Sequence, residues 1–119
     1  MTATIEVYVY TSKKSPSEPP AAVQNYPVRL YLYQPGQTQP MLFRAESSDS
    51  GGHVRFRVGF GHYEIIGGHQ GEIRTSFEVP FQPEQENQMT YTITCDPVTM
   101  MGTNIQRSDR ISNETIEID

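Results

Sequence analysis

Residues 47–69, SSDSGGHVRFRVGFGHYEIIGGH, carry all three histidines of the chain, and the way they are read decides the fold. After the Ser-Asp-Gly cluster, Val54, Phe56 and Val58 alternate with His53, Arg55 and Arg57. Side chains on a β-strand point to opposite faces with a period of two, so this is a half-buried strand and not a helix. Gly59-Phe60-Gly61 interrupts it, and Tyr63 and Ile65 then resume the apolar face. The spacing predicts a β-hairpin across that interruption, with a loop of even length keeping both apolar sets on one side. In such a hairpin His53 and His62 lie at opposite ends, roughly 15 Å apart at ~3.3 Å per residue. Zinc needs each ligand within about 2.1 Å, so the three histidines cannot close on one ion inside the hairpin. His53 and His69 gather at the same end with Asp49, whose carboxylate in a tight turn has amides two residues on to accept from. A calcium site would need more oxygens than the single carboxylate of SSDSGG supplies.

The same alternation extends in both directions. Towards the N-terminus, residues 4–10 place Ile5, Val7 and Val9 on one face and Glu6, Tyr8 and Tyr10 on the other. Val28, Leu30 and Leu32 alternate with Arg29, Tyr31 and Tyr33, and Met41, Phe43 and Ala45 with Leu42, Arg44 and Glu46. Beyond the hairpin, Ile73, Thr75, Phe77 and Val79 face Glu72, Arg74, Ser76 and Glu78, and Met89, Tyr91, Ile93 and Cys95 alternate with threonines. Seven short strands bounded by turn residues predict an all-β chain, a seven-stranded Greek-key sandwich. The connection from residue 11 to 27 contains Pro16, Pro19, Pro20 and Pro27 and reads as a long surface loop.

Composition agrees. The chain has 119 residues, enough for one domain with one core, and nine prolines, nine glycines and no tryptophan favour many turns. Its net charge of −5 comes from fourteen acidic and nine basic residues scattered along the chain, which argues against a nucleic-acid partner. Cys95 is the sole cysteine, so no intrachain disulfide forms. The opening MTATIEVYVYT lacks a basic region followed by an apolar run, and no stretch approaches the ~20 apolar residues of a membrane span. The expectation is a chain made in the cytoplasm, with no membrane partner. Asn113-Glu114-Thr115 forms a glycosylation sequon, which carries little weight without an export signal.

After Cys95 the pattern decays. Residues 1–95 read as the sandwich and residues 96–119 as an extended C-terminal arm or edge strand. Only ETIEID alternates again, with Ile116 and Ile118 on one side, as a strand added at an edge or an arm ordered by a neighbour would.

PVRLYLY followed by SSDSGGHVRFRVGFGHYEI resembles the prealbumin-like, immunoglobulin-like sandwich of carboxypeptidase regulatory-like domains. Ser48, Asp49 and Gly52 stand where that family's turn usually has Thr, Asp and Gly. Val54 and Phe56 fill the following inward positions, and Gly61, Tyr63 and Ile65 match its Gly-x-Tyr-x-Ile return. The resemblance covers roughly residues 28–79. Gly59-Phe60 replaces the family's common Leu-Pro, and the tail after Cys95 has no counterpart in the minimal domain. It implies the fold and says little of function, since such domains serve as stalks, adhesin modules, structural subunits and appendages to enzymes. The chain is also similar in length to the transthyretin-like hydrolases of purine breakdown. Their N-terminal His motif and C-terminal Tyr-Arg-Gly-Ser are missing, and the chain ends TIEID.

No Gly-x-Ser-x-Gly, phosphate loop or Ser-His-acid context occurs, so no catalytic, cofactor or metal residue is assigned. The candidate partner-binding residues are the outward Tyr8, Tyr10, Tyr31 and Tyr33, whose rings would cluster if their two strands were neighbours, together with Ile116 and Ile118. The expected function is a non-enzymatic structural or interaction module, an accessory or decoration subunit of a larger assembly such as a virion, injection machine or surface fibre. Its partner would be another protein or a second copy. The alternatives are a carbohydrate-binding module using the outward tyrosines and a transthyretin-like hydrolase.

Overall fold

The computed structural model describes residues 3–12, 17–81 and 87–108. Those residues form eight strands and no helix: β1 (Ala3–Thr11), β2 (Pro27–Tyr33), β3 (Met41–Ser47), β4 (His53–Val58), β5 (Gly61–Gly67), β6 (Ile73–Val79), β7 (Asn87–Cys95) and β8 (Gly102–Arg107). They make two four-stranded sheets, β4-β1-β7-β8 and β3-β2-β5-β6. The architecture is an all-β sandwich, with eight strands in place of the expected seven.

Alternation places the core correctly on most strands. Ile5, Val7, Val9, Val28, Leu30, Ile65, Ile93 and Cys95 are fully enclosed, and Val54, Phe56, Val58, Phe77 and Tyr91 close the space between the sheets. Tyr63 and Phe77 stack at 5.5 Å, and Phe77 meets Tyr91 at 5.7 Å, across the sandwich from β5 and β6 to β7. Burial also pushes the Cys95 thiol up to about 11, helped by the nearby Glu72 carboxylate, so the sole cysteine stays protonated at neutral pH.

Two expectations change and a third is made more specific. First, the hairpin across Gly59-Phe60-Gly61 does not form: β4 pairs with β1 in one sheet, while β5 pairs with β2 and β6 in the other. The glycine-rich link carries the chain from one sheet to the other, and apolar faces that look alike in sequence meet face to face.

Second, β3 does not keep an inward face. Its pairing with β2 slips by one residue between Leu30 and Tyr31, leaving Phe43 as the extra residue of a bulge. Phe43 alone packs against the core, 5.9 Å from Tyr63, and Met41 and Ala45 are exposed.

Third, the stretch after Cys95, expected as an arm or an edge strand, turns back at once, and its described part forms an edge strand. The Asp96 carboxylate accepts the amides of Val98 (3.0 Å) and Thr99 (2.7 Å), an Asx turn with Pro97 at its corner. β8 then pairs antiparallel with β7, placing Ile105 opposite Ile93.

The loop between β1 and β2 is more than a surface connection. Ala22 bridges Tyr10, and the loop delivers Val23 and Tyr26 into the core.

Candidate functional site

The four tyrosines do not form one surface. β1 and β2 lie in different sheets, so Tyr8 and Tyr10 look out on one side of the sandwich and Tyr31 and Tyr33 on the other. Tyr8 and Tyr10 stand two residues apart with parallel rings 6.3 Å between centroids, and the His53 ring lies 4.9 Å from Tyr8. The register sets Thr92 beside Tyr8 and Thr94 beside Tyr10. This outer face is therefore an aromatic row bordered by threonines. On the other face, the Tyr33 ring meets His62 edge-on at 5.2 Å. Ile116 and Ile118 lie outside the described residues.

Each outer face holds one nearly buried carboxylate that alternation alone would have left in solvent. Glu6 on β1 is 5% exposed, accepts from Arg55 Nε at 3.0 Å and is paired with His53 Nε2. Glu64 on β5 is 7% exposed, accepts the Tyr33 hydroxyl at 3.0 Å and lies 3.7 Å from Arg74 Nε. That hydrogen bond is the main reason the Tyr33 hydroxyl is harder to ionise than a free phenol, with burial second. The register explains both sites, since Arg55 stands opposite Glu6, and Tyr33 is the diagonal neighbour of Glu64. Both carboxylates are engaged by cations and donors of their own sheet. They serve to hold side chains flat on the surface.

The turn between β3 and β4 is built the same way. Asp49 Oδ1 accepts the amides of Gly51 and His53, each at 2.9 Å. The His53 amide bond is the leading cause that keeps the Asp49 carboxyl below the usual range, against an opposing contribution from burial. Ser48, 2% exposed, accepts the Tyr26 amide (2.9 Å) and donates to the Val23 carbonyl (2.6 Å). Both side chains are consumed in fixing the turn and the loop that enters β2.

His53, His62 and His69 go to three separate places. His53 belongs to the outer face of the β4-β1-β7-β8 sheet, paired with Glu6. His62 borders a groove of about 610 Å³ that includes Tyr33, Phe60 and Phe81. His69 lines a cleft of about 450 Å³ between residues 23–26, the β5–β6 turn and residues 99–101, and neither Asp49 nor His53 reaches it. Asn25 and Met100, the two non-glycine residues with left-handed backbone (φ 66° and 61°) among those described, border this same cleft. Glu72 closes its floor: Oε2 accepts the Tyr26 hydroxyl (2.9 Å) and the Gly102 amide (3.0 Å), and Oε1 accepts the Gln70 amide (3.3 Å). Burial raises the Glu72 carboxyl, but the donors outweigh it and hold it below the usual value. Among the described residues no group of three or more His, Cys, Asp or Glu is placed to hold a metal ion.

Several large apolar side chains are exposed. Phe60 and Phe81 are each 61% exposed and meet edge to face at 5.1 Å. Met41 and Leu42 are 48% and 55% exposed on β3. The bulge at Phe43 has no signature in the alternation. Comparison with protein-family models and with curated proteins finds no match for the chain.

Proposed function

We propose that the protein is a non-enzymatic interaction module that acts as an accessory subunit of a larger protein assembly, of the kind found in virions, injection machines and surface fibres. The observation that carries this reading is β3: an edge strand, six of its seven residues exposed, bearing the exposed Met41 and Leu42. Strand edges without cover are pairing templates, and natural proteins usually blunt or occupy them. The polar side chains that could do chemistry are committed elsewhere, as Glu6, Glu64, Glu72, Ser48 and Asp49 all hold backbone or side-chain partners in place.

We also assign the sandwich to the prealbumin-like, Greek-key type. Its support is the path of the chain, which visits the two sheets in the order one, two, two, one, two, two, one, one, and the parallel pairing of β1 with β7.

The C-terminal arm belongs to the same proposal. Because β8 ends at Arg107 and is part of the sandwich, the segment to remove is 109–119. Light scattering of the full chain at several concentrations is expected to give a mass above the monomer, and the chain lacking 109–119 a lower mass than the full chain. Equal masses would remove the arm from assembly, and a full chain monomeric throughout would contradict the reading.

A carbohydrate-binding role keeps one specific support, the row of Tyr8, Tyr10 and His53 rings beside Thr92 and Thr94. It predicts glycan-array binding that disappears in the Y8A/Y10A double variant and survives in Y31A/Y33A, whose tyrosines face the opposite side. The hydrolase alternative requires a polar cleft holding two histidines. His62 and His69 border separate clefts, and that alternative gains no support.

A further inference from the structure

β3 carries the pattern of a strand that pairs with itself. The Gly68 amide donates to the Pro27 carbonyl at 2.9 Å, so Pro27, Arg29 and their alternates on β2 direct their backbone groups to β5. Val28 and Leu30 then bond to β3, where their partners are Glu46 and Arg44. The bond from the Ser48 amide to the Tyr26 carbonyl (3.0 Å) follows the same parity. Ala45 and Ser47 are left with their N–H and C=O groups aimed out of the sheet, at the free edge.

We propose that two copies of the chain pair antiparallel through β3 about a twofold axis, with Ala45 opposite Ala45 of the second copy. This names a second copy as one partner of the assembly module proposed above and rests on that reading. In this register the two Ala45 residues exchange both N–H···O=C bonds, the reciprocal pair that a twofold axis demands. Arg44 of each copy falls opposite Glu46 of the other. Those are the non-hydrogen-bonded positions, where facing Cα atoms approach to about 4.5 Å and side chains interact most closely. Within one copy neither Arg44 nor Glu46 has an ion-pair partner among the described residues; the Arg44 guanidinium rests over the Phe43 ring at 4.9 Å, free to turn.

The charge order makes the pairing specific. β4, the edge of the other sheet on the same side, has Arg55 held by Glu6 and no acidic residue of its own, so a copy of itself offers no matching charge pair. β6 has Arg74 and Glu78 about Ser76, but Arg74 is held by Glu64 and the strand packs against β8. The pairing joins the two β3-β2-β5-β6 sheets into one of eight strands. Strand-edge contacts alone bury little area, so the dimer is a weak one that forms at high chain concentration and loosens as salt screens the exposed ion pairs.

Sedimentation velocity on the full chain tests this through a charge exchange. The wild type is expected to dimerise with rising concentration. R44E alone and E46R alone each set two like-charge contacts across the axis and weaken the dimer about tenfold. An equimolar mixture of the R44E and E46R chains restores it as a one-to-one heterodimer. A45P removes the central N–H without touching a bond to β2 and should also be monomeric, with a circular dichroism melt confirming that it is folded. If R44E alone still associates as the wild type does, the pairing is wrong while the assembly reading stands. If the wild type remains monomeric at every concentration, both fall.

Discussion

Gly52 shows how far a single residue in the opening stretch is determined by its surroundings. Its φ is +75°, and a Cβ there would sit 2.4 Å from the Val9 carbonyl oxygen, which is itself bonded by the Val23 amide. The substitution G52A therefore combines left-handed strain with displacement of β1 backbone and should destabilise the protein by about 1–3 kcal/mol. Thermal unfolding reads this directly, and an unchanged melting temperature would show that the turn has another way to close. Glycine-rich turns were visible in the sequence, as was the Asp49 turn. The burial of Glu6 and Glu64 was not, because alternation assigns a side chain to a face and cannot say that its neighbours will cover it. Glu6 stands opposite Arg55 in the register that pairs β1 with β4, a pairing that alternation does not reveal.

At the scale of elements, the strands were legible and their partners were not. Period-two patterning marks where β1, β2 and β4 to β7 run, but carries no information about which of two sheets a strand joins. Val54-x-Phe56-x-Val58 and Tyr63-x-Ile65 look equally like hairpin partners and like opposite walls of a core. The bulge at Phe43 is invisible for a similar reason, since alternation does not encode a one-residue slip or the contact of Phe43 with Tyr63 that accompanies it. β8 has one half-buried apolar residue, Ile105, and its clearest signal is the Asp96-Pro97 turn before it. Glu72 locks β8 to the start of β2 through Gly102 and Tyr26. Its carboxyl is held below the usual range, so its contribution is full above the unfolded-state value of about 4.3 and is lost as pH falls through the lower folded-state value. Urea unfolding from neutral to acid pH should show E72Q less stable than the wild type at neutral pH, the gap narrowing with acid. A gap that stays constant would contradict the role given to that carboxylate.

For the whole molecule, the two sheets enclose one core, and what is exposed distinguishes this chain from a bare scaffold. On the two outer faces Glu6 and Glu64 are engaged by neighbours of their own sheet, and the edges and ends of the sandwich carry the large exposed apolar side chains. Among those, β3 combines open backbone groups, exposed Met41 and Leu42, and a charge pair ordered to meet its own copy. The sequence contained Arg44 and Glu46 but gave no hint that they border a free edge, which depends on strand order and on the parity of hydrogen bonds. Sedimentation velocity of R44E, E46R and their equimolar mixture tests the claim of a self-pairing interaction module most directly. Two weakly associating chains that form a heterodimer on mixing are the predicted result. A mixture no more associated than its separate components would contradict it.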